Sequence, residues 1–286
     1  MSTTSDRHRS VTDRIRLAAH AAGVDANRLR RAVVFQRLLV RLAPHGLVLK
    51  GGYSLEARLP GAARATKDVD LVGLLATASD AETLLDALEP VLDAVAGDDF
   101  SFRVVAAHPM RDGAPGDRAW RLTVAALVDR ARFETVTVDL VGQVDEVIGA
   151  TERLRIACPV VLSGCDEVVI DAVDVYQHAA EKYHAYARIY AQERPSSRVK
   201  DLVDLVLLIE AGLLVDDARL GARLHRVHTA RDGLPPSAQL ASPPQFWDEP
   251  FSVMAAELDL AARVLPDAHL LVAARYVAAL TEGTTP

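Results

Sequence analysis

Apolar residues recur at three- and four-residue intervals over residues 8–22 and 26–44, which predicts two amphipathic helices, the second turning Val33, Leu38 and Leu39 inward. Asp25 or Asn27 stands where an N-cap belongs. Leu47-Val48-Leu49 is a short apolar run just before the pair Gly51-Gly52, which reads as a buried strand followed by a turn. Residues 54–59 predict a helix that Pro60-Gly61 stops, and Val69, Leu71, Val72 and Leu74 mark a second strand. Ser79, with Glu82 three residues on as a capping box, predicts a helix through Val95. Three strand-like runs follow, over residues 100–106, 120–127 and 133–141. The last alternates: Phe133, Thr135, Thr137 and Asp139 are expected on one face, and Val136, Val138 and Leu140 on the other.

Beyond Val168-Val169-Ile170 the pattern turns helical, over residues 173–192, 200–211, 216–230, 253–264 and 266–281, with a Pro-rich linker at 234–250. No internal repeat is visible. The expectation is an α+β chain. A helical arm and a small mixed sheet with flanking helices fill residues 1–165, and a helical C-terminal domain fills 166–286, with the seam near 150–170.

The chain has 286 residues, half of them hydrophobic, enough for one compact unit or two small domains. Its net charge of −7 argues against a nucleic-acid partner, but the charge is uneven. Residues 1–50 carry nine Arg and one Lys against Asp6, Asp13 and Asp25, a balance of +7, which leaves −14 for the rest. A basic arm on an acidic body is a hint of phosphate contact; solvated helix faces are the plainer reading. Cys158 and Cys165 match no zinc or redox spacing and read as small buried hydrophobes in a reducing compartment. With neither an apolar signal core nor an apolar run of about 18 residues, no membrane span is expected and the cytoplasm is the expected location.

Lys67-Asp68-Val69-Asp70-Leu71 places two carboxylates on one face of the second strand, because side chains alternate along a strand. Like charges so close repel unless a cation lies between them. Mg²⁺ suits that place, being hard and usually held by one or two carboxylates together with substrate phosphates. Upstream, Gly51-Gly52-Tyr53-Ser54 lies at a strand-to-helix turn, where backbone N–H groups approach phosphates closely and the Ser54 hydroxyl is available to donate to one. Tyr53 is expected to pack into the core rather than stack on a base. Asp139, on the alternating strand, is a candidate third carboxylate. Together these suit two-metal nucleotidyl transfer, with Asp68, Asp70 and Asp139 as metal ligands and Asp139 on the metal that activates the nucleophile. Further on, Lys182 lies on a predicted helix, and Arg198, Lys200, Asp201 and Asp204 open the next, capped by Ser196 or Ser197. One reading is a solvated face; the other puts Lys182, Lys200 and Arg198 on nucleotide phosphates, with Asp204 orienting a lysine or completing the metal site.

Leu49-Lys50-Gly51-Gly52-Tyr53-Ser54, then residues 64–71, then Lys182 and the pattern Arg198-x-Lys200-Asp201-x-x-Asp204-Leu205 resemble the AbiEii/MenT nucleotidyltransferase toxins of the DNA polymerase β-like superfamily. The likeness covers about residues 45–210. It implies a polymerase β-like mixed sheet followed by a helical domain, and transfer of a nucleoside monophosphate from an NTP with Mg²⁺. It implies the 3′ end of tRNA as acceptor, a block of translation, and a cognate antitoxin protein. The catalytic residues it implies are Asp68, Asp70, Lys182 and Asp204, with Gly51, Gly52, Ser54, Lys182, Arg198 and Lys200 at the nucleotide. Thr66 takes the place of a hydroxyl whose phosphorylation silences some members. A monomer is expected. The alternatives are a protein or small-molecule hydroxyl as acceptor, or a relative that binds a nucleotide without catalysis.

Overall fold

Asp25 does cap the second helix: its carboxylate accepts from the Arg28 amide at 2.7 Å. The computed structural model describes residues 6–282, save 95, 112–117, 143–145, 165, 191–193 and 196–197, and gives 111, 189–190 and 194–195 as backbone only. Cys165, Ser196 and Ser197 thus lie outside the described residues. The chain divides into two compact units, one made of residues 1–58, 65–147 and 151–172, the other of 59–64, 148–150 and 173–286.

The first unit runs α1 (Asp6–Ala22), α2 (Ala26–Leu42), β1 (Val48–Lys50), α3 (Gly51–Arg58), β2 (Asp68–Val72), α4 (Ala81–Leu92), β3 (Phe100–Arg111), β4 (Ala119–Val128), β5 (Ala131–Val141), β6 (Thr151–Ile156) and β7 (Val168–Val173). Its strands form a seven-stranded sheet in the order β3-β4-β5-β2-β1-β7-β6. β1 runs antiparallel to β2 and parallel to β7, and β2 runs parallel to β5, so the sheet is mixed. One core joins Phe35, Leu38 and Leu39 of α2 with Leu84 and Leu88 of α4, and with Val69, Leu71, Val138 and Leu140 from the two central strands.

Several local expectations change. The cap of α4 is Asp80, which accepts from the Thr83 amide at 2.8 Å, while Ser79 only donates to the Asp80 carboxylate. Those hydrogen bonds to the charged form pull the Asp80 carboxyl down to about 2. Phe133 leaves its expected face. The β4–β5 register steps between Ala126↔Glu134 and Leu127↔Arg132, so Phe133 is the extra residue of a bulge and joins Val136 and Val138 in the core. β6 was not foreseen.

The second unit runs α5 (Val175–Ala187), a short pair β8 (Ile189–Tyr190) and β9 (Arg194–Pro195), then α6 (Val199–Glu210), α7 (Asp217–Asp232), α8 (Asp248–Glu257) and α9 (Leu265–Glu282). α5 is shorter than the run to residue 192 that the sequence predicts, because the chain turns into the β8–β9 pair. The Pro-rich stretch is no free linker. Trp247 is buried with its ring 5.4 Å from that of Tyr186. The Tyr186 and Tyr276 hydroxyls donate to the Ala241 and Ser237 carbonyls, each at 2.8 Å. Among the described residues no helix is long and apolar enough to cross a membrane.

Candidate active site

Lys50 ends β1 opposite Asp70 of β2, and the chain then turns at Gly51 with φ +67°. A Cβ on Gly51 would stand 1.8 Å from Asp70 Oδ2, so only glycine lets the start of α3 lie against that carboxylate. Ser54 is buried, and its hydroxyl donates to the Gly51 carbonyl at 2.9 Å. That hydrogen bond clamps the turn onto the first residue of α3. Gly51 and Gly52 occupy the first turn of α3, the end of a helix that favours anions. Tyr53 packs as expected, edge-on to Phe35 with ring centroids 4.9 Å apart.

Strand alternation sends Val69 and Leu71 into the core and leaves the half-buried Asp68 and Asp70 together on the other face. The parallel register with β5 sets Asp70 beside Asp139, so the three carboxylates share one patch of two adjacent strands. Asp139 is held by Arg121, which stands opposite it on β4 and reaches Oδ1 at 2.8 Å and Oδ2 at 2.6 Å. The hydrogen bond and the charge of Asp139, followed by the charges of Asp68 and Asp70, raise the Arg121 pKa above its already high value. Arg121 pairs directly with Asp139, and the three carboxylates of the patch are the oxygen donors that a hard divalent cation takes.

Thr66 is buried beside the same acids. Its hydroxyl donates to Asp68 Oδ1 at 2.9 Å, and its amide donates to Glu56 Oε2 at 3.2 Å. A phosphate on this hydroxyl would put further negative charge on the Asp68 carboxylate, and adding it would require the segment to open.

In the helical unit, Lys182 of α5 meets Asp204 of α6 with Nζ 2.6 Å from Oδ2, and Asp201 Oδ1 lies 3.4 Å away. Arg64 grips Asp204 from a third side, Nε to Oδ1 and Nη2 to Oδ2, both at 2.9 Å. Burial would raise the Asp204 carboxyl, but Lys182 and Arg64, by charge and hydrogen bond, outweigh it and hold the pKa below its usual value. An acid so fully engaged orients the Lys182 ammonium and is poorly placed to act as a base. Arg198 sits at the exposed start of α6, its Nε 2.6 Å from Asp201 Oδ2, and Lys200 is exposed. α6 opens without a side-chain cap from Arg198.

Two residues at these clusters had no expected role, Arg64 and Arg121. Arg64 lies 140 positions from its partner, and no local pattern ties the two. For Arg121 the one available signal was an arginine at an outward position of the strand before Asp139; its pairing depends on the β4–β5 register.

The family model described as "Nucleotidyl transferase AbiEii toxin, Type IV TA system" matches residues 34–280. MenT4, a nucleotidyltransferase toxin from Mycobacterium tuberculosis H37Rv, is similar in structure, with a TM-score of 0.57 and 21% identity over 93% of this chain and 89% of that one. A candidate nucleotidyltransferase from H. pylori aligns with a TM-score of 0.42 and 17% identity over 90% of this chain and 94% of that one. No curated protein sequence matches. The first of these structures shares the fold.

Proposed function

Because this chain belongs to the AbiEii family of nucleotidyl transferase toxins of type IV toxin–antitoxin systems, we propose that it moves a nucleoside monophosphate from an NTP to an RNA acceptor, the 3′ end of tRNA, and so blocks translation until its antitoxin restrains it. The observation that carries the reading is the Asp68–Asp70–Asp139 patch against the Gly51 turn. An NTP brings several negative charges, and the first turn of α3 offers it backbone N–H groups. Asp68, Asp70 and Asp139 would hold Mg²⁺, which when bound offsets the phosphate charge and lowers the pKa of the attacking hydroxyl. Arg121 holds both oxygens of Asp139, so its charge and the cation would compete for that carboxylate. Within the helical unit, Asp204 fixes the Lys182 ammonium, and Arg64 keeps Asp204 charged. The assignment of Lys182, Arg198 and Lys200 to nucleotide phosphates is part of this proposal.

The test is transfer of labelled NTP, with Mg²⁺, to purified tRNA, to total cell protein and to small hydroxyl acceptors. Label on tRNA that is lost in Asp70→Ala, with the fold intact by circular dichroism, supports the reading. An Asp70→Ala protein as active as the parent removes the mechanism. The acceptor deserves its own arm of the assay, because Arg37 and Arg41 of the basic arm are buried structural residues with no role in meeting RNA. Label on protein or on a small molecule would keep the chemistry and replace the acceptor.

A further inference from the structure

The helical unit holds a second group of ligating side chains that the transfer reaction does not use. His228 and Asp232 stand four residues apart on α7 and therefore share a face, and His184 meets them from α5. Their ligand atoms lie within 4.8 Å of one another. His184 Nε2 is 2.9 Å from Asp232 Oδ2, and the two imidazole centroids are 5.0 Å apart, edge to face. Both histidines are buried, while the Asp232 side chain is 51% exposed, which opens the group to solvent.

We infer that His184, His228 and Asp232 form a transition-metal site, with Zn²⁺ the ion best suited to two imidazoles and a carboxylate. The alternative is a plain His184–Asp232 hydrogen bond. It accounts for two of the three residues and leaves His228 unexplained. His228 Nε2 is a buried ring nitrogen without a hydrogen-bond partner among the described residues, a costly arrangement. Arg231, also on α7, is paired with Glu181 at 3.5 Å. Two histidines and one carboxylate are a common three-residue zinc set, whose fourth position stays open to water. A tetrahedral zinc with bonds of about 2.0–2.1 Å holds its ligand atoms roughly 3.4 Å apart, so side-chain rotation about existing helices closes the site. Mg²⁺ takes oxygen ligands and is not expected here.

The site joins α5 to α7 on the side of α5 away from α6. Lys182 precedes His184 by two residues and faces Asp204. A bound ion would therefore stiffen the helix that carries Lys182 without touching the lysine.

The experiment titrates the metal-stripped full-length chain with Co²⁺, as a visible probe of zinc sites, in excess Mg²⁺ to fill the oxygen-only carboxylates. The expected result is one Co²⁺ per chain with the absorption bands of a tetrahedral centre, displaced by Zn²⁺. The bands should vanish in His228→Ala and binding should weaken at least about tenfold in Asp232→Asn, whose exposed side chain leaves the fold intact by circular dichroism. Bands that persist in both variants, or a folded parent chain that takes up neither Co²⁺ nor Zn²⁺ at micromolar concentration, would overturn the site. Loss of transfer activity in Asp70→Ala leaves this outcome untouched, so the two readings fail separately.

Discussion

Gly51 and Asp70 share one volume, and that sharing is the tightest constraint at the candidate active site. Gly51→Ala adds a Cβ 1.8 Å from the Asp70 carboxylate at a residue with φ +67°. Left-handed strain of about 1–2 kcal/mol and overpacking of about 1–3 kcal/mol should then add. Gly46→Ala is the control: its φ is +68° but nothing lies within 4 Å, so the strain acts alone. Urea unfolding should show the first variant the less stable, with transfer reduced at least about tenfold because Asp70 must move; equal losses would mean that Asp70 yields freely. Arg121 offers a second residue-scale test. In Arg121→Gln the three acids lose their guanidinium, so binding of Mg²⁺ should stabilise the variant more than the parent. A larger Mg²⁺-induced rise in Tm is expected, and an identical rise would show that Arg121 and the cation do not compete.

At the scale of elements, Asp174 shows how a helix that carries a site residue is set in place. It caps α5 through the Tyr176 and Gln177 amides at 3.0 and 2.9 Å, and its second oxygen holds Arg223 at 2.8 Å. Arg223 in turn lies where a Cβ on Gly149 would stand, 2.2 Å from its guanidinium carbon. Asp174→Ala removes the cap and strands a mostly buried guanidinium, so a loss of roughly 3 kcal/mol is expected in chemical denaturation. Asp174→Asn, which keeps a capping oxygen, should lose distinctly less. The helices were legible because the apolar stripe of period 3.6 survives in any context that buries one face. Strand β6 was not, since residues 151–156 offer only Leu154 and Ile156 as large apolar side chains, and its place at the sheet edge leaves most positions partly exposed. The bulge at Phe133 escaped for a related reason: strict alternation is a property of an uninterrupted ladder, and one inserted residue resets it.

Over the molecule as a whole, the basic stretch of the first 50 residues divides by role. Arg37 and Arg41 are buried and close on the fully buried side chain of Asp98 at 3.3 and 2.9 Å, which ties α2 to the chain entering β3. Arg28 pairs with Glu56. The exposed arginines are Arg7, Arg9, Arg14 and Arg16 on α1. Asp98→Ala should strand two buried guanidinium groups and cost about 3–5 kcal/mol, read as a shift in the urea midpoint. A loss under about 1 kcal/mol would show that the pair is solvated. The same burial explains why net charge by segment overstated the surface available to phosphate.

What the sequence determined by itself is what depends on near neighbours along the chain: the helical stripes, the Asp25 cap, the Gly51-Gly52 turn, and two carboxylates on one face of β2. The resemblance in the motifs around them identified the family. The tertiary structure alone decided which distant groups meet. Asp139 lies beside Asp70 through a strand register, Arg121 closes on Asp139 across a hairpin, Arg64 reaches Asp204, and His184 joins His228 and Asp232 from another helix. Periodicity fixes the direction of a side chain on its own element, whereas the partner it finds is set by how elements pack, and that energy is shared among residues far apart in the chain.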